Sequence, residues 1–374
     1  MNDFIPVNQP LLNGNEKKYL NQCIDTGWIS SEGPFIKEFE DKLAYRVNRK
    51  HAIAVCNGTA AIEAAITALG VSEGDEVIMP AFTIISCITQ IVRVGAKPVL
   101  VDSDPFTWNI NVDQIESKIT SRTKVIMVVH IYGLPVDIDP IIEIARKYNL
   151  KILEDAAEMH GQTYKGRACG SFGDISTFSF YPNKHITTGE GGMILTNDDV
   201  LADKCKSLRN LCFLPDKRFV HEELGWNFRM TNLQAAIGVA QLERLNEFVQ
   251  IKRRMGNMYT ELLKDIPQIQ LPLGSTSYAE NIYWVYGIII KEDFKISAIE
   301  VMEKLAKKGI GTRPFFYPMH LQPILKKMKL FQNEIYPISE NMYEKGFYIP
   351  SGLALTEAQI TKVSKSLREV FTTI

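Results

Sequence analysis

Short apolar runs alternate with amphipathic stretches through the first two thirds of the chain. The run His51 to Cys56 breaks at Asn57-Gly58 and passes into a helical pattern from Thr59 to Leu69, and Glu76 to Met79 is followed by a helical pattern from Ile84 to Val94. Pro98 to Val101, Lys124 to Val129 and Lys151 to Leu153 continue the series, with a helix expected over Ile141 to Tyr148. Runs this short and this uniformly apolar predict strands of a mostly parallel sheet, buried on both faces by helices. Ligands of such sheets sit beyond the carboxyl ends of the strands. After Gly192 to Leu195, helical patterns cover Asp198 to Asn210 and Thr231 to Leu263, the second crossing an expected domain boundary at Leu245. A strand from Tyr283 to Ile290, a helix from Ser297 to Lys308 and a last helix from Glu357 to Phe371 then predict a smaller α+β domain. The expected division is 1–245 for the large domain with its N-terminal segment and 246–374 for the small one.

Charge and composition narrow the partners. The 374 residues carry 42 Lys+Arg against 43 Asp+Glu, a net charge of −1, which argues against a surface built for nucleic acid or an anionic membrane and points to a small ligand. No stretch reaches the roughly 18 apolar residues of a membrane span, and Met1 to Pro6 lacks the basic and apolar regions of a signal peptide, so a cytoplasmic location is expected. The six cysteines are scattered without a CxxC pair, and the six histidines show no zinc-site spacing. Free thiols and no metal are expected.

Three places carry candidate chemistry. In Phe178-Ser179-Phe180-Tyr181-Pro182-Asn183-Lys184, followed by Gly189-Glu190-Gly191-Gly192, one lysine stands between an aromatic strand end and a Gly-rich turn. A lysine so confined can lower its pKa and form a Schiff base with an aldehyde; the ordinary alternative is a solvated loop lysine. Asp155 closes the strand Lys151 to Leu153, where a buried carboxylate calls for a cationic partner such as a pyridinium nitrogen. A helix cap or structural salt bridge is the alternative. Asn57-Gly58-Thr59 lies between strand and helix, where free amides and the helix dipole can hold a phosphate; it is also an ordinary turn and cap.

At these residues, and at Gly27-Trp28-Ile29-Ser30-Ser31, Glu154-Asp155-Ala156-Ala157-Glu158, Asn227-Phe228-Arg229-Met230 and Arg313-Pro314-Phe315-Phe316-Tyr317-Pro318-Met319-His320, the chain resembles the pyridoxal-phosphate sugar-nucleotide aminotransferases of the DegT/StrS type. The resemblance runs nearly end to end. It implies an α/β chain with the type I, aspartate aminotransferase-like fold of pyridoxal 5′-phosphate enzymes, acting as a homodimer. It implies that Lys184 binds the cofactor covalently and moves a proton, and that Asp155 pairs with the pyridine nitrogen. Gly58, Thr59 and Ser179 would hold the phosphate, joined by Asn227 of the partner subunit, and Glu158 would lie near the 3-hydroxyl. Ring packing falls to Phe82 or Ile84; many relatives have an aromatic residue at the position of Ile84.

Within the family, Trp28 to Ser31, Ile186 to Met193 and Arg313 to His320 look most like the GDP-perosamine synthase branch, which aminates carbon 4 of a GDP-4-keto-6-deoxy sugar with glutamate, released as 2-oxoglutarate, for surface polysaccharide (O-antigen) synthesis. Trp28, Ser30, Arg229, Arg313 and His320 are the substrate contacts this implies, with a proline-held structural loop as the alternative for Arg313 and His320. Amination of a UDP- or dTDP-linked ketone, or at sugar carbon 3, is a competing outcome. A deoxygenating dehydratase, which has His in place of the lysine, is disfavoured by Lys184. A non-catalytic binder is disfavoured by Lys184 and Asp155, and a dehydrogenase by the lack of GxGxxG after a strand.

Overall fold

The computed structural model describes residues 4–214 and 216–372; 1–3, at the head of the Met1 to Pro6 stretch, 215 and 373–374 lie outside the described residues. Two helices, α1 (Glu16–Thr26) and α2 (Pro34–Val47), precede an alternating series: β1 (His51–Val55), α3 (Gly58–Ala68), β2 (Glu76–Pro80), α4 (Ile85–Arg93), β3 (Lys97–Val101), β4 (Thr123–Val129), α5 (Ile138–Tyr148) and β5 (Lys151–Asp155). The hairpin β6 (Thr163–Tyr164) and β7 (Arg167–Ala168) leads to β8 (Ile175–Ser179), β9 (Gly192–Thr196), α6 (Asp199–Arg209), α7 (Asn232–Glu243) and α8 (Leu245–Leu263).

The main sheet has seven strands in the order β1-β9-β8-β5-β4-β2-β3. Pairs from β8 through β5, β4 and β2 to β3 are parallel, and β9 runs antiparallel to both its neighbours. Strands β2, β3, β4 and β9 read as largely apolar runs because both faces are covered. Val77, Met79, Val125 and Met127 point into a core shared with α3, α4 and α6, while Ile78, Ile126 and Val128 point into a second core with α2, α5 and α7. Alternate residues of one strand thus serve opposite layers.

A second, antiparallel sheet follows, ordered β10 (Ile269–Gln270), β11 (Tyr286–Ile290), β13 (Gly346–Ile349) and β12 (Arg313–Pro314). It packs with α8, α9 (Ala298–Ala306) and α12 (Glu357–Thr372) around a third core that includes Tyr259, Ile288, Leu305 and Val363; α10 (Pro323–Lys327) and α11 (Pro337–Lys345) complete this part. The start of the chain is tied here too, since Ile5 bridges Ile310 and the Ser351 amide donates to the Val7 carbonyl.

Beyond shifted ends, such as the helix expected from Ile141 that begins at Ile138, two expected elements differ for a reason visible in the backbone. The pattern from Thr231 to Leu263 is two helices, because at Arg244 the backbone leaves the helical region with φ −108° and ψ 7°. The strand expected from Tyr283 begins at Tyr286, because Tyr283 takes φ +48°, which no strand residue adopts. All six cysteines are free thiols. Among the described residues no helix is long and apolar enough to cross a membrane.

Phe39 of α2 is fully buried, 4.9 Å ring to ring from Phe180 and against Gly238 of α7, where a Cβ would come within 2.7 Å of it. Phe39→Ala should therefore cost about 3–5 kcal/mol in denaturant unfolding. A loss below about 1 kcal/mol would mean that α2 and α7 close over the gap.

Candidate active site

A cavity of about 530 Å³ opens at the carboxyl ends of β2, β4, β5 and β8. The crossover geometry of parallel strands makes this edge the meeting place of their following loops. Thr83 and Ile84 come from the loop after β2, His130 from just past β4, Asp155 from the end of β5 and Glu158 from the loop after it, Thr177 and Ser179 from β8, and Lys184 from the turn beyond.

One wall is the N-terminus of α3. Asn57 caps it, its side chain accepting from the Ala60 amide at 2.8 Å, and among the described residues no protein acceptor takes the Gly58 or Thr59 amide. Gly58 lies so close to β8 that a Cβ there would sit 2.7 Å from the Ser179 Cβ. The close approach brings the helix end, the Ser179 hydroxyl and Thr59 Oγ1, itself 3.2 Å from Ser86 Oγ, to one corner. Free amides at a capped helix start make an anion site.

Asp155 is buried, as the last residue of its strand. Its Oδ1 accepts from the Ala157 amide at 3.0 Å and its Oδ2 from the Cys87 thiol at 3.4 Å, with no cation within ion-pair distance among the described residues. Burial pushes its pKa up, against the Ala157 and Cys87 hydrogen bonds and the more distant charge of Lys184. It is not a helix cap or half of a salt bridge.

Lys184 Nζ lies 3.8 Å from Glu158 Oε1 and 4.0 Å from the centroid of the Trp284 ring. Burial lowers its pKa and Glu158 opposes that shift. Glu158 is raised by burial, partly offset by Lys184, and its Oε2 accepts from the Tyr132 amide at 2.6 Å. Thr177 Oγ1 and Asn183 Oδ1 are buried at the cavity wall without a partner. These donors and orphaned atoms fit pyridoxal phosphate: free amides for its phosphate, an unpaired carboxylate for its ring nitrogen and an amine for its aldehyde.

The structure brings Gly58, Thr59, Ile84, Asp155, Glu158, Ser179 and Lys184 to the cavity. Of the two ring-packing candidates, Ile84 is at the wall, and Phe82 is fully buried behind it among Tyr132, Phe315 and Phe316. His320 does not reach the cavity. It is 1% exposed, with Nε2 2.8 Å from Glu340 Oε1 and its ring against Tyr336, so it takes the structural-loop alternative. Arg313 is exposed and pairs across the sheet with Tyr348, a cavity residue, which puts it near the mouth. Trp28, Ser30, Asn227 and Arg229 lie off their own chain's cavity. The carbonyls of Trp28 and Ser30 bind Asn232, Asn227 bridges Asn210, and the Arg229 guanidinium donates to Asn210 Oδ1 at 2.6 Å.

His130, Tyr348 and Trp284 are cavity residues that the sequence alone gave no site role, and Phe316 entered only as one residue of the Arg313 to His320 motif. The strand-end rule that selected Asp155 also selects His130; Tyr348 in β13, and Trp284 and Phe316 just outside β11 and β12, reach the cavity by tertiary packing. His130, Glu154 and Cys169 come within 4.8 Å of one another, a grouping their spacing did not suggest. Glu154 accepts from His130 and from the Gly170 and Phe172 amides, and His130 Nδ1 accepts from the Val136 amide, so the group is a hydrogen-bonded network.

Gly58→Ala tests the anion corner. The new methyl must push α3 away from Ser179, and loss of one charge-assisted hydrogen bond should weaken pyridoxal phosphate binding about tenfold. Fluorescence titration of the apoprotein reads this; an unchanged Kd would place the phosphate elsewhere.

Comparison with known proteins gives the family. The chain is 42% identical to the GDP-perosamine synthase of Escherichia coli O157:H7, over 98% of this chain and 99% of that one. It is 43% identical to the GDP-perosamine synthase of Caulobacter vibrioides, over 98% of each. The crystal structure of an aminotransferase from Psychrobacter cryohalolentis superposes with a TM-score of 0.92 at 29% identity, covering 99% of both chains. Residues 10–368 match the DegT/DnrJ/EryC1/StrS aminotransferase family, and the chain belongs to that family.

Proposed function

We propose that the protein transfers the amino group of L-glutamate to carbon 4 of GDP-4-keto-6-deoxymannose, giving GDP-perosamine and 2-oxoglutarate. Pyridoxal 5′-phosphate is its cofactor. The observation that carries the reading is the meeting, in one cavity, of a lysine only 10% exposed and, among the described residues, a buried carboxylate without a cation and a helix start with free amides. The choice of sugar nucleotide rests on the GDP-perosamine synthases that the chain matches along nearly its whole length.

When bound, the cofactor supplies an aldehyde that carries the amino group and a ring that takes up the electrons of the carbon losing its proton. Gly58, Thr59 and Ser179 would hold its phosphate, Asp155 its ring nitrogen, and Lys184 its aldehyde carbon. A carboxylate kept in a buried place answers a cation there more strongly than it would in water. Lys184 Nζ is also the group placed to take a proton from one face of the cavity and return it; burial favours its neutral, basic form. Glu158, 3.8 Å away, is the carboxyl nearest to that proton.

The active unit in this reading is a homodimer. Asn227 and Arg229 sit off their own chain's cavity, on the same connection as Phe219 and Leu224, which are 82% and 92% exposed. Large apolar side chains displayed together suit a protein contact, and a twofold axis would let each chain complete the other's site. Arg313, near the mouth without a carboxylate partner among the described residues, is the candidate for the nucleotide's diphosphate. A place in surface polysaccharide (O-antigen) synthesis and a cytoplasmic location complete the proposal.

Borohydride reduction and peptide mapping should find the cofactor on Lys184, and Lys184→Ala should lower turnover by about 10²-fold or more while the chain stays folded. Cofactor fixed to another lysine would sink the assignment. An amination assay across GDP-, dTDP- and UDP-linked 4-keto sugars, read by mass spectrometry, should favour the GDP-linked one; the reverse preference removes the perosamine reading and leaves the transaminase one. Mixing Lys184→Ala with Asn227→Ala chains should restore part of the activity, because one site of the mixed dimer keeps both residues. No recovery in verified mixed dimers argues against a shared site.

A further inference from the structure

Trp284 touches the lysine turn twice. Its indole Nε1 donates to the Asn183 carbonyl at 2.8 Å, the peptide oxygen just before Lys184, and its ring lies under Nζ with 4.0 Å to the centroid. The indole is 3% exposed and packed among Tyr132 and Tyr348, so its orientation is fixed.

Its backbone is held just as firmly. The Trp284 carbonyl accepts from Lys252 Nζ at 2.8 Å, and the Ser351 carbonyl takes the same amine. Lys252 is 2% exposed, and with no carboxylate within ion-pair distance among the described residues its pKa falls to about 7 by burial. On the other side, the loop after β4 presses Gly133 so close that a Cβ there would lie 2.5 Å from the Trp284 amide nitrogen. A residue clamped from two layers is well suited to fix something else.

We propose that Trp284 is a positioning residue for Lys184: its ring face carries the ammonium, and its N–H pins the turn that aims Nζ into the cavity. The inference rests on Lys184 as the residue that binds the cofactor. A cation over an indole face is stabilised by the ring quadrupole, and the effect grows where water is excluded. The other groups facing Nζ are Glu158 at 3.8 Å and, farther off, Asp155 and Cys87. His160 and His185 lie nearby, and burial holds both below their usual range and neutral. Trp284 is thus the one aromatic face that favours the charged amine against burial among these neighbours.

The test uses the full-length apoprotein of wild type, Trp284→Leu and Trp284→Phe. Two quantities are read: the pH midpoint of Lys184 acylation by a small anhydride, followed by mass spectrometry, and the rate at which added pyridoxal phosphate is captured. With leucine, which removes ring and N–H, the midpoint should fall by about one unit and capture should slow about tenfold. With phenylalanine, which keeps a ring face but lacks the N–H, the midpoint should stay within about 0.3 unit of wild type while capture still slows. A wild-type midpoint in the leucine protein, or wild-type capture in the phenylalanine protein, overturns the proposal. The phenylalanine protein decides alone if the leucine one does not fold, since a midpoint displaced by about one unit there also overturns it. Borohydride mapping separates this from the prior reading: cofactor found on another lysine defeats the assignment of Lys184, whatever the Trp284 variants show.

Discussion

A sheet covered by helices on both faces leaves little room for polar chemistry along the middle of its strands, and the rest of this structure follows from that constraint. Val77, Ile78, Val125, Ile126 and Met127 are fully buried, facing one helical layer or the other in alternation. Polar groups are concentrated where the parallel strands stop, because only there can the backbone turn away and leave side chains facing a cavity. Asp155, His130, Ser179 and the amides of α3 are all products of that one edge.

The same burial that builds the cavity sets its electrostatics. Asp155 and Glu158 are pushed up and Lys184 is pushed down, each first by loss of water and only then corrected by its neighbours. Such a site is poorly satisfied by its own residues: among the described residues a carboxylate lacks a cation, two amides lack an acceptor, and Thr177 and Asn183 have unpartnered oxygens. Unmet polar demand in an otherwise close-packed interior is a description of the ligand, since a group that supplies all the missing partners at once recovers their desolvation together. A phosphorylated pyridine aldehyde has that set of groups in one small molecule.

The parts legible in the sequence were those written in local pattern. Unbroken apolar runs marked the parallel strands, and the residues at their ends, Asp155 and Asn57-Gly58-Thr59, marked the cavity's lower wall. Lys184 stood out by its frame of aromatics and glycines. What the pattern did not hold was anything decided between distant segments. Phe82 and Ile84 are two residues apart, and which of them faces the cavity depends on Phe315 and Phe316, more than two hundred positions away in the chain; the alternation alone left the choice open. His320 looked like a ligand donor among prolines, yet Glu340 and Tyr336 absorb its ring into the core. Tyr283 fitted a strand pattern and instead takes a left-handed turn, and the next residue, Trp284, has its ring under the lysine.

That turn shows how three separate parts of the chain converge on one peptide group. The Asn183 carbonyl accepts from Trp284 Nε1, from the C-terminal half, at 2.8 Å, and from Asn8 Nδ2, from the opening segment, at 3.4 Å. The opening segment is itself stitched to the second sheet through Val7 and Ser351, and Ser351 shares Lys252 with the Trp284 carbonyl. The lysine is therefore carried by the large sheet but aimed by elements on the far side of the cavity. The role proposed for Lys184 calls for an amine held without drift, and a loop held only by its own strand would not have that precision. Fastening the preceding carbonyl from two directions ties the loop to the structure on either side of the cavity, while the lysine side chain beyond it takes no part in those two hydrogen bonds.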